Sequence, residues 1–297
     1  MLEPTETSYF SEPATILDPR LFRSNKIQPM VRSAVLQLLF NHLDKSYTSG
    51  SAWSHVWLAG SGVSYQWAAH RDPGDLDCLI GIDYRSFRSS NTQFTGLSDK
   101  EISQMLNEGF REELHPITGE FLGSFELTFY VNVRSNIVDI KPYAAYSLTD
   151  DSWTVVPENL RLDISPTWNS AIEGDRVQAI DILTRYQNAK DRYEQVGNDA
   201  LRANARSEMR VAMAQGAGLY ESVHQGRSSA FSPSGEGYSD FANYRWQAGK
   251  QSGVIQALRA LKTEMDAEDE ALNKKTYGVD LPSAGTLIRR AATRRSI

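Results

Sequence analysis

The chain has 297 residues, enough for one large domain or two of ordinary size, and its 40% hydrophobic and 23% charged composition excludes wholesale disorder. A formal net charge of −6 argues against a broad, non-specific grip on DNA, because such a grip comes from Lys and Arg neutralising phosphates. A local basic patch stays compatible with that balance.

Cys78, the one cysteine, precludes an internal disulfide and fits a reducing compartment. The first residues, MLEPTETSYF, lack the basic and apolar regions of a signal peptide, and no apolar run approaches bilayer-spanning length. The expectation is a soluble, cytoplasmic protein without a membrane partner. The histidines show no spacing of the HExxH kind, which argues against zinc catalysis.

In chain order, residues 1–28 are rich in Pro, Ser and Thr and read as an extended lead-in. Pro29 opens a helix over Met30 to Leu43, with Val31, Val35, Leu38, Leu39 and Leu43 at helical spacing. Ser54 to Ala59 (SHVWLA) predicts a short strand, broken by Gly60-Ser61-Gly62, and Val63 to Ala69 predicts a short helix. A strand then opens with Asp75-Leu76-Asp77. Tyr84 to Thr95 is polar and reads as a loop. Ser98 and Glu101 form a capping box for a helix through Leu114. Phe125, Leu127, Phe129, Val131 and Val133 alternate as a strand, Ile137 to Tyr143 predicts another, and Trp153 to Val156 a last one. This order predicts an α+β fold, a small mixed sheet with helices packed on it, over residues 29–160. Residues 161–297 predict a helical domain, with helices over Asp175 to Gln195, Asn198 to Ala214 and Asp240 to Ala271.

The chemistry is concentrated in Asp75-Leu76-Asp77. On an extended strand both carboxylates leave one face, with Leu76 and Cys78 turned into the core. Two ionised carboxylates that close repel each other unless a cation lies between them. Hard divalent cations with oxygen ligands, Mg2+ above all, resolve that conflict and are partners of substrate phosphates. The glycines of the preceding turn let backbone approach a bulky anion, and amides at a helix start attract phosphate. The alternative is a solvated turn, since Pro73, Gly74 and Asp75 are turn formers.

Ala59-Gly60-Ser61, a spacer from Gly62 to Gly74, and Asp75-Leu76-Asp77-Cys78 together resemble the signature of the DNA polymerase β-like nucleotidyltransferase superfamily, with a spacer at the long end of that family's range. The resemblance covers roughly the first half of the chain. It implies a third carboxylate on a later strand, for which Asp139 in Ile137-Val138-Asp139-Ile140 is the best match. It also implies Mg2+ or Mn2+ held by Asp75, Asp77 and Asp139, a nucleoside triphosphate as substrate, and release of pyrophosphate. Gly60 and Ser61 would then cradle phosphates. Lys141, two residues beyond Asp139, would contact the triphosphate or balance Asp139 as an ion pair. The acceptor hydroxyl stays open among RNA, protein, a small molecule and a second nucleotide, with RNA or protein preferred. The reading from a different class is a catalytically inactive relative that contacts a partner through its helical half.

The segment from His224 to Tyr238, running into Asp240 to Gln247, is dense in hydrogen-bonding and aromatic side chains. Arg227, Asn243, Arg245 and Lys250 are candidate nucleotide contacts there, with Tyr244 or Trp246 stacking a base. The alternative is an interhelix loop anchored to the core by its aromatics. The arginines at positions 289, 290, 294 and 295 follow an acidic run and would either touch RNA or be a solvated helix end.

Overall fold

The computed structural model describes residues 2–4, 7–67, 74–132, 137–159, 164–278 and 287. The chain divides into two compact units: Phe10–Leu160 carries the sheet, and Met1–Tyr9 joins Arg161–Leu281 in a helical unit. The N-terminal lead-in is therefore shared between the two units.

The sheet unit begins with a ribbon of β1 (Phe22–Arg23) and β2 (Lys26–Ile27), turned by Ser24 and Asn25 at positive φ. Helix α1 (Pro29–Leu43) starts on its proline and buries Val31, Val35, Leu39 and Leu43 completely. A short α2 (Gly50–Trp53) leads into β3 (Ser54–Ala59), which pairs antiparallel with β4 (Gly74–Ile82). The stretch expected as a polar loop is instead α3 (Tyr84–Ser90) followed by a 3-10 turn, Thr92–Phe94. Asp83 makes it helical by capping: its carboxylate accepts from the Arg85 and Ser86 amides. Hydrogen bonds from the Ser86 amide and hydroxyl, and then from Arg85, hold the Asp83 carboxyl below its usual range. The buried Phe87 locks the helix onto the core.

Helix α4 (Asp99–Gly109) has the expected capping box between Ser98 and Glu101 and continues through a π turn, Phe110–Leu114. The remaining strands are β5 (Phe125–Val131), β6 (Ala145–Ser147) and β7 (Ser152–Val155). The sheet order is β5-β4-β3-β6-β7, with β4 and β5 parallel and the other pairs antiparallel. One face carries Val56, Leu58, Leu76, Cys78, Ile80, Leu127 and Phe129 into the main core. The outer edge of β5 is closed by side chains and one loop. Val131 N–H donates to Asn107 Oδ1 at 2.7 Å, Phe129 N–H to His115 Nε2 at 3.0 Å, and Leu127 N–H to the Thr118 carbonyl at 3.0 Å.

Ile137–Ile140, expected as a strand, is a 3-10 turn. Its Ile137 and Ile140 lie against Trp57, Leu79 and Ala145, forming a second small apolar layer on the other sheet face. A four-residue apolar run fits either state, and here packing across the sheet decides it.

The helical unit contains α5 (Pro166–Gln195), α6 (Asp199–Ala230), α7 (Phe241–Gln251) and α8 (Val254–Tyr277). Its core is built from Ile182, Met213, Val223, Trp246, Leu258 and their neighbours. The second helix is longer than expected and the third is broken at Gly253, where φ is +80°. A Cβ at that glycine would stand 2.5 Å from the Glu3 backbone, so the N-terminal segment lies directly against the α7–α8 corner. Tyr9 and Tyr238 fix the segment reciprocally, each hydroxyl donating to the other's carbonyl, at 2.9 and 3.3 Å. Among the described residues, no helix is long and apolar enough to cross a membrane.

Candidate functional site

β4 places Asp75 and Asp77 on the same face, both half-buried, while Leu76 and Cys78 between and after them are fully buried. Burial, and then the neighbouring Asp77 charge, pushes the Cys78 thiol well above its ordinary range, so it stays a neutral core group. Asp77 Oδ1 accepts from the Thr128 hydroxyl of β5 at 3.2 Å. Registration of the parallel pair sets Thr128 beside Asp77 and Glu126 beside Asp75. Glu126 is exposed and belongs to the same face. Asp75, Asp77, Glu126 and Thr128 thus form an oxygen-rich patch across two adjacent strands.

The Gly60-Ser61-Gly62 turn is seated on that patch. Gly60 has φ +90° and ψ −160°, and a Cβ there would stand 3.1 Å from Asp77 Oδ2. A Cβ on Gly62 would fall 2.5 Å from the Asp75 carbonyl oxygen. At Gly62 the Asp75 backbone leaves no room for a side chain, and at Gly60 the positive φ and the nearby Asp77 carboxylate disfavour one. The Gly60 amide donates to the Ala144 carbonyl at 3.1 Å, so what Gly60 contributes is its conformation and its missing side chain. Ser61–Val63 is a single 3-10 turn, closed by the Ser64 amide and hydroxyl on the Ser61 carbonyl. The expected helix over Val63 to Ala69 is not formed up to Trp67, and Ala68 and Ala69 lie outside the described residues.

Asp139 falls within the 3-10 turn, and its side chain lies outside the described residues. Lys141 is exposed, with φ +41°. Without a strand there, the expected sharing of a strand face by Asp139 and Lys141 does not hold. Lys141 does lie three residues before Ala144, the partner of the Gly60 amide. Among the described residues, no group of three or more His, Cys, Asp or Glu side chains is gathered closely enough to hold a metal. The donor set on the patch is nonetheless all oxygen, the chemistry that Mg2+ and Mn2+ prefer.

The four candidates from the C-terminal half lie in the helical unit. The expected interhelix loop is mostly helix, since α6 runs to Ala230, followed by a short turn and a 3-10 segment, Gly237–Ser239. Arg245 is bound two-pronged to Asp175, at 2.5 and 2.7 Å, a pairing that raises the arginine's pKa further. Asn243 is fully buried and donates to the Tyr238 carbonyl at 2.9 Å. Lys250, in the last turn of α7, is half-buried. Arg227 lies over the rings of Trp246 and Phe231. Arg245 and Asn243 are thus engaged inside their own unit. Arginines 289, 290, 294 and 295 lie outside the described residues.

Sequence reasoning missed Glu126 and Thr128. The alternation of β5 was legible, and its outward positions carry a carboxylate and a hydroxyl, but only the pairing with β4 shows that they face Asp75 and Asp77. The chain matches no protein-family model, no curated protein and no solved structure.

Proposed function

We propose that the protein is a metal-dependent nucleotidyltransferase, moving a nucleoside monophosphate from a nucleoside triphosphate to an acceptor hydroxyl. The observation that carries this reading is the seating of the Gly60-Ser61-Gly62 turn against Asp75 and Asp77, two sequence motifs that meet only through the β3–β4 pairing. Asp75 and Asp77 would hold Mg2+ or Mn2+, with Asp139 as the third carboxylate or, since Glu126 is not gathered with the pair in this structure, Glu126 after its exposed side chain turns toward them. Bound metal supplies charge neutralisation for the phosphates and a lower pKa for the acceptor hydroxyl.

The chain's own residues orient and exclude. Thr128 restrains the Asp77 carboxylate, and Gly60 keeps the space beside it clear. The acceptor oxygen forms the new bond to the α-phosphorus, the bond to the bridging oxygen breaks, pyrophosphate leaves, and a carboxylate on the patch takes the hydroxyl proton.

The test is incubation of the chain with each labelled nucleoside triphosphate, Mg2+ or Mn2+, and RNA, protein and small-molecule acceptors. Label should pass to an acceptor with wild type and not with Asp77→Ala, whose fold is retained. Near-normal transfer by Asp77→Ala overturns the mechanism. A second reading, an inactive relative acting as a binding protein, is favoured by the absence of a closely gathered carboxylate group among the described residues. It predicts that nucleotide raises the melting temperature to the same extent with and without Mg2+, whereas the enzyme requires the metal for that stabilisation.

A further inference from the structure

One stripe of α6 ends in a ladder of rings and cations. Tyr220 and His224 stack with centroids 5.7 Å apart and planes 10° apart, and His224 meets Trp246 of α7 edge-on at 5.4 Å. Arg259 of α8 sits 5.8 Å over Tyr220. Arg227 sits 5.3 Å over Trp246 and 5.8 Å over Phe231. Positions 220, 224 and 227 share one side of α6, and Phe231 is the residue that caps its C-terminus. Trp246 is buried, Tyr220, Arg227 and Phe231 are half-buried, and His224 and Arg259 are exposed.

The charge on this ladder is unbalanced. Elsewhere in the unit Arg176, Arg185, Arg192, Arg206, Arg210 and Arg245 each pair with a carboxylate. Among the described residues, Arg227 and Arg259 pair with none, as does Arg202 away from the ladder over Tyr193, in a chain whose net charge is −6. The Arg227 Nε is also buried and meets no hydrogen-bond acceptor. A buried donor left unmet is unfavourable, and a charged one more so; with Nε sealed, the two Nη groups of this half-buried side chain are the ones an acceptor from outside the chain can reach. Phosphate suits a guanidinium held over a ring, because the planar fork offers two parallel N–H groups. The exposed imidazole stacked on Tyr220 continues a π stack toward solvent, which a nucleobase extends and a carboxylate does not.

We propose that this α6–α7–α8 ladder binds a single-stranded polynucleotide. Bases continue the Tyr220–His224 stack, and phosphates are taken by Arg227 and Arg259. Affinity from two guanidiniums and stacking needs no basic field, so it is compatible with an acidic chain. The strip stands independently of chemistry at Asp75 and Asp77; if both hold, the polynucleotide is the natural acceptor.

The test uses the full chain and reads binding, not transfer: fluorescence anisotropy of a labelled short single-stranded RNA, the same sequence as DNA, and its duplex, across a salt series. Either single strand should bind more tightly than the duplex, and the RNA and DNA arms identify the sugar. The double variant Arg227→Gln, Arg259→Gln should lose about tenfold or more in affinity and flatten the logarithmic salt slope by about 1.4, or ~0.7 for each phosphate contact removed. Arg259→Gln alone, at an exposed site, should flatten it by about 0.7 without any risk to folding. Tyr220→Leu should weaken binding about tenfold with the slope unchanged. Arg176→Gln, on α5 and ion-paired, should leave binding as it is. The proposal is overturned by no single-strand binding at low salt, by preference for the duplex, by undiminished binding in the double variant, or by polyglutamate displacing RNA as effectively as RNA itself.

Discussion

Gly60 faces Asp77 so closely that a methyl group on its Cα would stand 3.1 Å from the Asp77 Oδ2. Gly60→Ala meets two penalties at once, a backbone at φ +90° and crowding of the carboxylate. The strained backbone alone costs on the order of 1–3 kcal/mol. The variant should melt at lower temperature and lose nucleotidyl transfer, whereas Ser61→Ala should keep its melting temperature. Thermal unfolding of the two variants side by side checks this, and an unchanged Gly60→Ala melt would contradict the seating of the turn.

On the proposed function, Glu126 and Asp139 are the two candidates for the third carboxylate. Glu126 is exposed and sits in register with Asp75, so Glu126→Gln should leave the melting temperature unchanged. Transfer should fall at least about tenfold, the usual scale for loss of a group that supports a metal site. Rates measured across a Mn2+ titration decide the matter: full activity in Glu126→Gln with none in Asp139→Asn returns the role to Asp139.

Tyr146 predicts an alkaline transition in the sheet unit. Burial first, then its hydrogen bond to Asp151 at 2.9 Å, pushes its phenol up to about 12 from an ordinary value near 10. A raised pKa in the folded state means that the stabilisation is complete below about pH 10 and is lost as pH rises toward 12. A gap of about 2 between the folded and unfolded values corresponds to on the order of 2–3 kcal/mol. Denaturant midpoints measured from neutral to strongly alkaline pH should fall across that window in wild type. Tyr146→Phe should flatten this part of the curve.

Gly253 tests the N-terminal segment. With φ +80° and the Glu3 backbone where a Cβ would go, Gly253→Ala should destabilise the helical unit by on the order of 1–3 kcal/mol and release residues 2–4 from it. Hydrogen exchange should then show faster exchange at the chain start and at the α7–α8 corner. Unaltered exchange at both would argue that the segment is not held there.

Much of the sheet unit was legible because its signals are local. The alternation around Leu76 and Cys78 fixed which way Asp75 and Asp77 point, and Ser98 with Glu101 marked the start of α4. The failures share a cause, which is that tertiary packing outweighed local preference. Ile137–Ile140 carries a strand-like composition but turns to cover Trp57 and Leu79. Gly226, Ser228 and Ser229 weaken helix propensity, yet α6 continues through them while Tyr220, His224 and Arg227 pack on Trp246. Asn243 and Arg245 looked like ligand contacts because polar side chains are conspicuous in sequence, whereas their partners, Tyr238 and Asp175, are found only by folding.

If the proposed transfer holds, the sealed outer border of β5 limits how a substrate would reach the aspartates. Asn107, His115 and Thr118 already occupy the main-chain groups that an incoming extended peptide would need. A protein substrate therefore cannot be threaded in as an extra strand beside Glu126. On the proposed function it would present its hydroxyl from above the sheet, on a loop or a free end, as a nucleic-acid terminus does by nature.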